Sequence, residues 1–96
     1  MTGGSRHASR ASASEEEMEA AILALAAEAG TGRSIDPSAP ARRLAPDAEW
    51  QHLLPLVRRV AIRLALDGRL VIYRKGKPVD PADFKGVYRL GLPGKD

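Results

Sequence analysis

Residues 53–92 read LLPLVRRVAIRLALDGRLVIYRKGKPVDPADFKGVYRLGL, a helix, a stop, a β-rich run, a basic loop and a second β-rich run. Leu53, Leu56, Val57, Val60, Ala61 and Leu64 recur at a spacing that keeps them on one face of a 3.6-residue period. Pro55 sets the effective start of this helix, because a proline deeper inside would remove a hydrogen bond and kink it. Asp67-Gly68 ends it, since glycine accepts the left-handed backbone that helix C-termini favour. The runs 70–73 and 87–90 follow as strands. Leu70 and Ile72 share one face of their strand and Tyr88, Leu90 and Leu92 one face of theirs; both faces are expected to cover the helices, leaving Arg89 outside.

The connection 75–86 is long for a hairpin. It is nevertheless expected to hold a shape. Pro78 and Pro81 restrict its backbone, Asp80 can bond forward into a turn, and Phe84 supplies an apolar anchor.

Upstream, Ser14 and Glu17 form a capping box, and Glu15 and Glu16 sit at the positive end of the helix dipole. Met18, Ile22, Leu25 and Ala29 give the expected buried stripe, with Ala21 and Ala26 permitting close approach, and Gly30 stops the helix. Ser34-Ile35 is a candidate for a very short strand added to the later pair. Asp36-Pro37 opens a short second helix through Leu44; if Ser38 is its cap, Pro40 falls harmlessly in the first turn. Trp50, beside Leu53 and Leu54, reads as a core anchor in preference to a base-stacking residue.

These elements give one α+β domain over residues 14–92, winged-helix-like, with three helices followed by a two- or three-stranded antiparallel β-wing. Residues 1–13, rich in Gly, Ser and Arg, lack the apolar residues to order themselves and are expected to form a tail, as are residues 93–96. The start is Arg/Ser-rich and acid-free like an organellar presequence, but it lacks the amphipathic face of one. No stretch approaches the apolar length of a membrane span, and the chain has no Cys, so a reducing, cytoplasmic setting is expected.

Charge divides along the chain. Residues 14–36 carry six carboxylates against Arg33, whereas residues 51–92 carry nine Lys and Arg against three Asp. An acidic side and a basic side are the expectation, and such polarity steers anionic partners.

No catalytic constellation emerges. His7 lies in the tail; Asp47, Glu49 and His52 read as a helix-initiating cluster more readily than a metal site. Asp80 and Asp83 flank Pro81 and shape a turn, and the serines offer no triad. Gly30-Thr31-Gly32-Arg33 follows a helix and lacks the ending of a phosphate-binding loop, so it reads as a plain turn. The expectation is a non-enzyme without metal or cofactor.

Two contact surfaces are left. Arg58, Arg59 and Arg63 on the third helix, with Arg74, Lys75, Lys77 and Lys85 on the wing, form a candidate phosphate-binding patch for DNA or RNA. Sequence specificity should be weak, because residues 53–66 contain no Asn, Gln, Ser, Thr or Lys with which to read base edges. Ile62 and Leu66 point away from the apolar stripe. Unless another element covers them, they form with the hairpin a protein-contact patch.

The runs Gly68-Arg69-Leu70-Val71-Ile72, Arg74-Lys75-Gly76-Lys77-Pro78-Val79-Asp80-Pro81 and Lys85-Gly86-Val87-Tyr88-Arg89-Leu90 resemble a small bacterial family known only as a domain of unknown function. The resemblance extends over residues 18–92 and includes Ile35-Asp36-Pro37-Ser38 and Pro55-Leu56-Val57-Arg58. It implies a winged-helix-like fold in a bacterial cytoplasmic protein and brings no activity, ligand or catalytic residue. Pro40 departs from it, standing where an ordinary helix former is expected.

Overall fold

The computed structural model describes residues 13–94, the side chain of Ala48 excepted. Helix α1 spans Glu15–Ala29, α2 Ser38–Leu44 and α3 Leu54–Leu66, the last entered through a 3₁₀ turn at Ala48–Leu53. Three strands follow: β1 Val71–Arg74, β2 Lys77–Pro78 and β3 Arg89–Gly91. The sheet is antiparallel in the order β2-β1-β3, and Ile35, between α1 and α2, bridges to Leu90. The short strand expected at Ser34-Ile35 is therefore present as this bridge.

Local chemistry sets the helix ends. The Ser14 hydroxyl accepts the Glu17 amide at 3.0 Å while the Ser14 amide donates to Glu17 Oε1 at 2.9 Å, closing the capping box. At the start of α2 the Asp36 carboxylate accepts the Ser38 amide at 2.8 Å, and Pro40 falls within the first turn, where a proline breaks no helical bond. Helix α3 closes with a Schellman pair: Arg69 N donates to Leu64 O and Gly68 N to Ala65 O, with Gly68 at φ 78°.

Met18, Ile22 and Ala26 of α1 pack against Val57, Val60, Ala61 and Leu64 of α3, and Leu70, Ile72 and Leu90 close the core from the sheet. The stripe on α1 differs from the expected one. Leu25 and Ala29 are only half-buried, and Ala26 is fully buried in their place. In an Ala-rich helix wedged between two others, the closest approach falls where the side chain is smallest, and apolar periodicity has little contrast to mark it.

The wing differs too. Residues 75–86 are not one connection: a two-residue turn, Lys75 at φ 54° and Gly76 at φ 81°, folds the chain back into β2 beside β1. Positive φ at both positions is the type I′ geometry that matches strand twist. The remainder loops to β3 and has the expected shape. Asp80 Oδ1 accepts the Ala82 amide at 2.9 Å, Asp80 O accepts the Asp83 amide at 3.0 Å, and Phe84 is buried in the core.

The expected tail at residues 1–13 lies outside the described residues except for Ala13, which packs half-buried against the core. Of residues 93–96, Pro93 and Gly94 are exposed and the last two lie outside the described residues. Among the described residues no helix is long and apolar enough to cross a membrane.

Candidate nucleic-acid interface

Arginines and lysines of the candidate patch part company. On α3, Arg59 Nε lies 3.2 Å from Glu15 Oε2, and Arg63 Nη2 lies 3.0 Å from Glu19 Oε1. Arg69, just past the helix, reaches the other Glu19 oxygen at 2.8 Å. Glu19 is thus clamped between two guanidinium groups. The hydrogen bond from Arg69, then that from Arg63, holds its carboxyl below the usual carboxylate range. The expected division into an acidic and a basic side fails here. Packing of α1 on α3 sets carboxylates and guanidinium groups side by side, and pairs 44 residues apart neutralise one another.

Arg58 has a different task. Its guanidinium lies 4.1 Å from the centre of the Phe84 ring, and Nη2 donates to Phe84 O at 2.9 Å. Tyr88 meets Phe84 edge-on at 5.2 Å and lies 5.9 Å from Arg58. Burial pushes the Tyr88 phenol above its ordinary value. This stack fastens the loop to α3. On the sheet, Arg74 Nε donates to Val87 O at 2.9 Å, bracing the loop at its far end.

The three lysines differ from all four arginines. Lys75, Lys77 and Lys85 are exposed, and among the described residues none forms an ion pair. Lys75 and Lys77 stand on either side of Gly76 in the β1–β2 turn.

The apolar candidates also separate. Ile62 is half-buried against the core cluster, whereas Leu66 is 64% exposed. The larger open apolar surface is elsewhere. Val87, 81% exposed, joins Trp50, Leu54 and Tyr88 around a groove of about 480 Å³. Trp50 packs half-buried against the core, with the Arg42 guanidinium 4.5 Å over its ring.

Arg33 and Arg89 stand outside the patch read from the sequence. Arg89 pairs with Tyr73 across β1 and β3, on the sheet face opposite Ile72 and Leu90, and its guanidinium bonds Ser34 twice: Nε to Oγ at 2.7 Å and Nη2 to the carbonyl at 2.9 Å. The signal was present in the alternation that places Arg89 outside. It lacked the strand register that aligns Tyr73 beside it.

His52 Nε2 lies 3.7 Å from Glu49 Oε1, and both side chains are exposed. Among the described residues no three His, Asp or Glu side chains are grouped to hold a metal ion.

The sequence over residues 15–93 matches the model of a family described as "Protein of unknown function (DUF3253)". Among curated proteins none matches the chain.

Proposed function

The chain belongs to the DUF3253 family, and since that description assigns no activity, we propose its function from its fold and surface: a non-catalytic, winged-helix-like module that binds nucleic acid through the phosphates. The winged-helix reading is supported by the order helix, bridge residue, helix, helix, then sheet, with Ile35 joined to β3 at the edge opposite β2. One observation carries the binding reading. Lys75 in the β1–β2 turn and Lys77 at the start of β2 are exposed and, among the described residues, have no carboxylate partner, whereas each α3 guanidinium makes a bond within the molecule.

That asymmetry supports contact through the wing, with α3 as scaffold. The three arginines of α3 each bond within the molecule, to Glu15, Glu19 or Phe84, and those bonds compete with a guanine edge for their guanidinium groups. Lysines are point charges that suit phosphate and carry no sequence information. Binding is therefore expected to be indifferent to sequence and steep in salt. Titration of labelled duplex DNA, single-stranded DNA and RNA of unrelated sequences at two salt concentrations tests this. Similar affinities within each nucleic-acid type, falling as salt rises, are expected; absence of binding to all three at low salt overturns the reading.

A protein-contact role is the second reading, and the groove beside Val87 favours it over the outer face of α3. Leu66, with Ile62 half-buried beside it, makes a smaller patch.

A further inference from the structure

Between the loop leaving α1 and the β1–β2 turn lies a cleft of about 170 Å³, lined by Arg33, Ser34, Tyr73, Lys75 and Arg89 together with Gly32 and Gly76. Three of its side chains are cations and none is a carboxylate. Asp36, which feels the charge of Arg89, lines the neighbouring apolar groove instead.

The cleft is built. Arg89 is oriented by two hydrogen bonds to Ser34, which use two of its five donors and leave three for a ligand. Lys75 is fixed at φ 54° by the turn. The Arg33–Ser34 segment is seated on the sheet because Gly91 lets it approach: a Cβ there would lie 2.7 Å from Arg33 O and 3.1 Å from Tyr73 Cε2. The three cations come from three separate parts of the chain and converge on one concavity. Cations of like sign lining one concavity make it a favourable place for an anion.

Its size narrows the ligand. Pockets for whole small molecules run to about 300–1,000 Å³, so this one suits a head group. A phosphomonoester protrudes on a single ester bond and carries a charge of about −1.5 to −2 near pH 7. An internal diester is singly charged and flanked by chain on both sides, which suits an open ridge better than a cleft. We propose that this cleft binds a phosphomonoester, held by Arg33, Lys75 and Arg89 with the Ser34 hydroxyl and Tyr73 beside it. Only Lys75 is shared with the wing surface, and the inference does not require strand binding.

Titration of the full chain, followed by amide and arginine Nε chemical shifts, decides it with four small probes: inorganic phosphate, adenosine 5′-monophosphate, adenosine and dimethyl phosphate. Phosphate and the monophosphate are expected to shift Gly32, Ser34, Gly76 and the Arg89 Nε saturably, with Kd of about 1 mM or tighter. Equal affinity for the two points to the free anion as ligand; tighter monophosphate points to a nucleotide. Dimethyl phosphate is expected to bind about tenfold more weakly. Affinity for the monoester should rise between about pH 5 and 7.5 as its second proton leaves near pH 6.

Arg33→Ala should lower affinity about tenfold, because a charge-assisted bond is lost from an exposed side chain that forms no ion pair among the described residues. Arg89→Lys, which keeps the charge and loses the fork, should lower it comparably. No saturable shift with either monoester, equal binding of adenosine, or wild-type affinity in both variants would overturn the assignment.

Discussion

Arg58 is the residue whose sequence suggests one role and whose surroundings give it another. It stacks on Phe84 and bonds its carbonyl, so removing it frees the loop before it affects any ligand. Arg58→Ala is expected to destabilise the domain by about 1–2 kcal/mol, read from the urea midpoint, with Arg58→Lys failing to restore it because an ammonium cannot both stack and bond in that plane. Gly91 is decided by space alone. With a Cβ placed 2.7 Å from a backbone oxygen, Gly91→Ala should cost about 1–3 kcal/mol and disturb the Arg33 and Tyr73 signals first. Lys75 offers the opposite case. It holds a positive φ that Asn tolerates better, so Lys75→Asn should leave the fold intact or raise the melting temperature slightly while deleting a wing charge. That variant separates charge from turn geometry, which an Ala substitution there would confound.

At the scale of elements, the α1–α3 seam is held by apolar packing and rimmed by the Glu15, Glu19, Arg59, Arg63 and Arg69 ion pairs. Because the folded state depresses the Glu19 carboxyl below its ordinary value of 4.5, its contribution is complete above that pH. It fades as pH falls through the lower folded value. Thermal melts of Glu19→Gln and wild type should therefore differ most near neutral pH and converge as the pH falls through the lowered Glu19 value, the gap narrowing also at high salt. A constant gap across pH would assign the loss to shape instead of charge. The caps of α1 and α3 were legible in the sequence because a capping box and a helix-ending glycine involve residues within a few positions. The guanidinium–carboxylate pairs were not, since contacts 44 and 50 residues apart depend on how two helices pack. The two residues of β2 escaped for a related reason. A strand that short has no periodicity, and Lys-Gly is a weaker turn signal than Asn-Gly. Asp80 and Phe84 were read correctly because the turn they shape is local and the anchor is the only Phe in the chain.

For the whole molecule, a formal net charge of +3 says little about where an anion is met. Folding cancels the basic character of α3 against α1 and leaves open positive charge on the wing, at Lys75, Lys77 and Lys85, with Arg33 and Arg89 at the cleft beside it. The sequence joins α3 and the wing in one candidate patch, whereas folding pairs Arg59 and Arg63 with carboxylates and leaves the wing lysines exposed. Each phosphate contact contributes close to one unit to the slope of log affinity against log salt, so the slope counts the contacts on each element. The most direct measurement compares that slope for three proteins on one DNA duplex: wild type, Lys75→Asn/Lys77→Ala, and Arg59→Ala/Arg63→Ala. The wing pair is expected to flatten the slope by about two units, while the helix pair leaves it unchanged. A slope lost with the arginines of α3 and retained without the wing lysines would contradict the account.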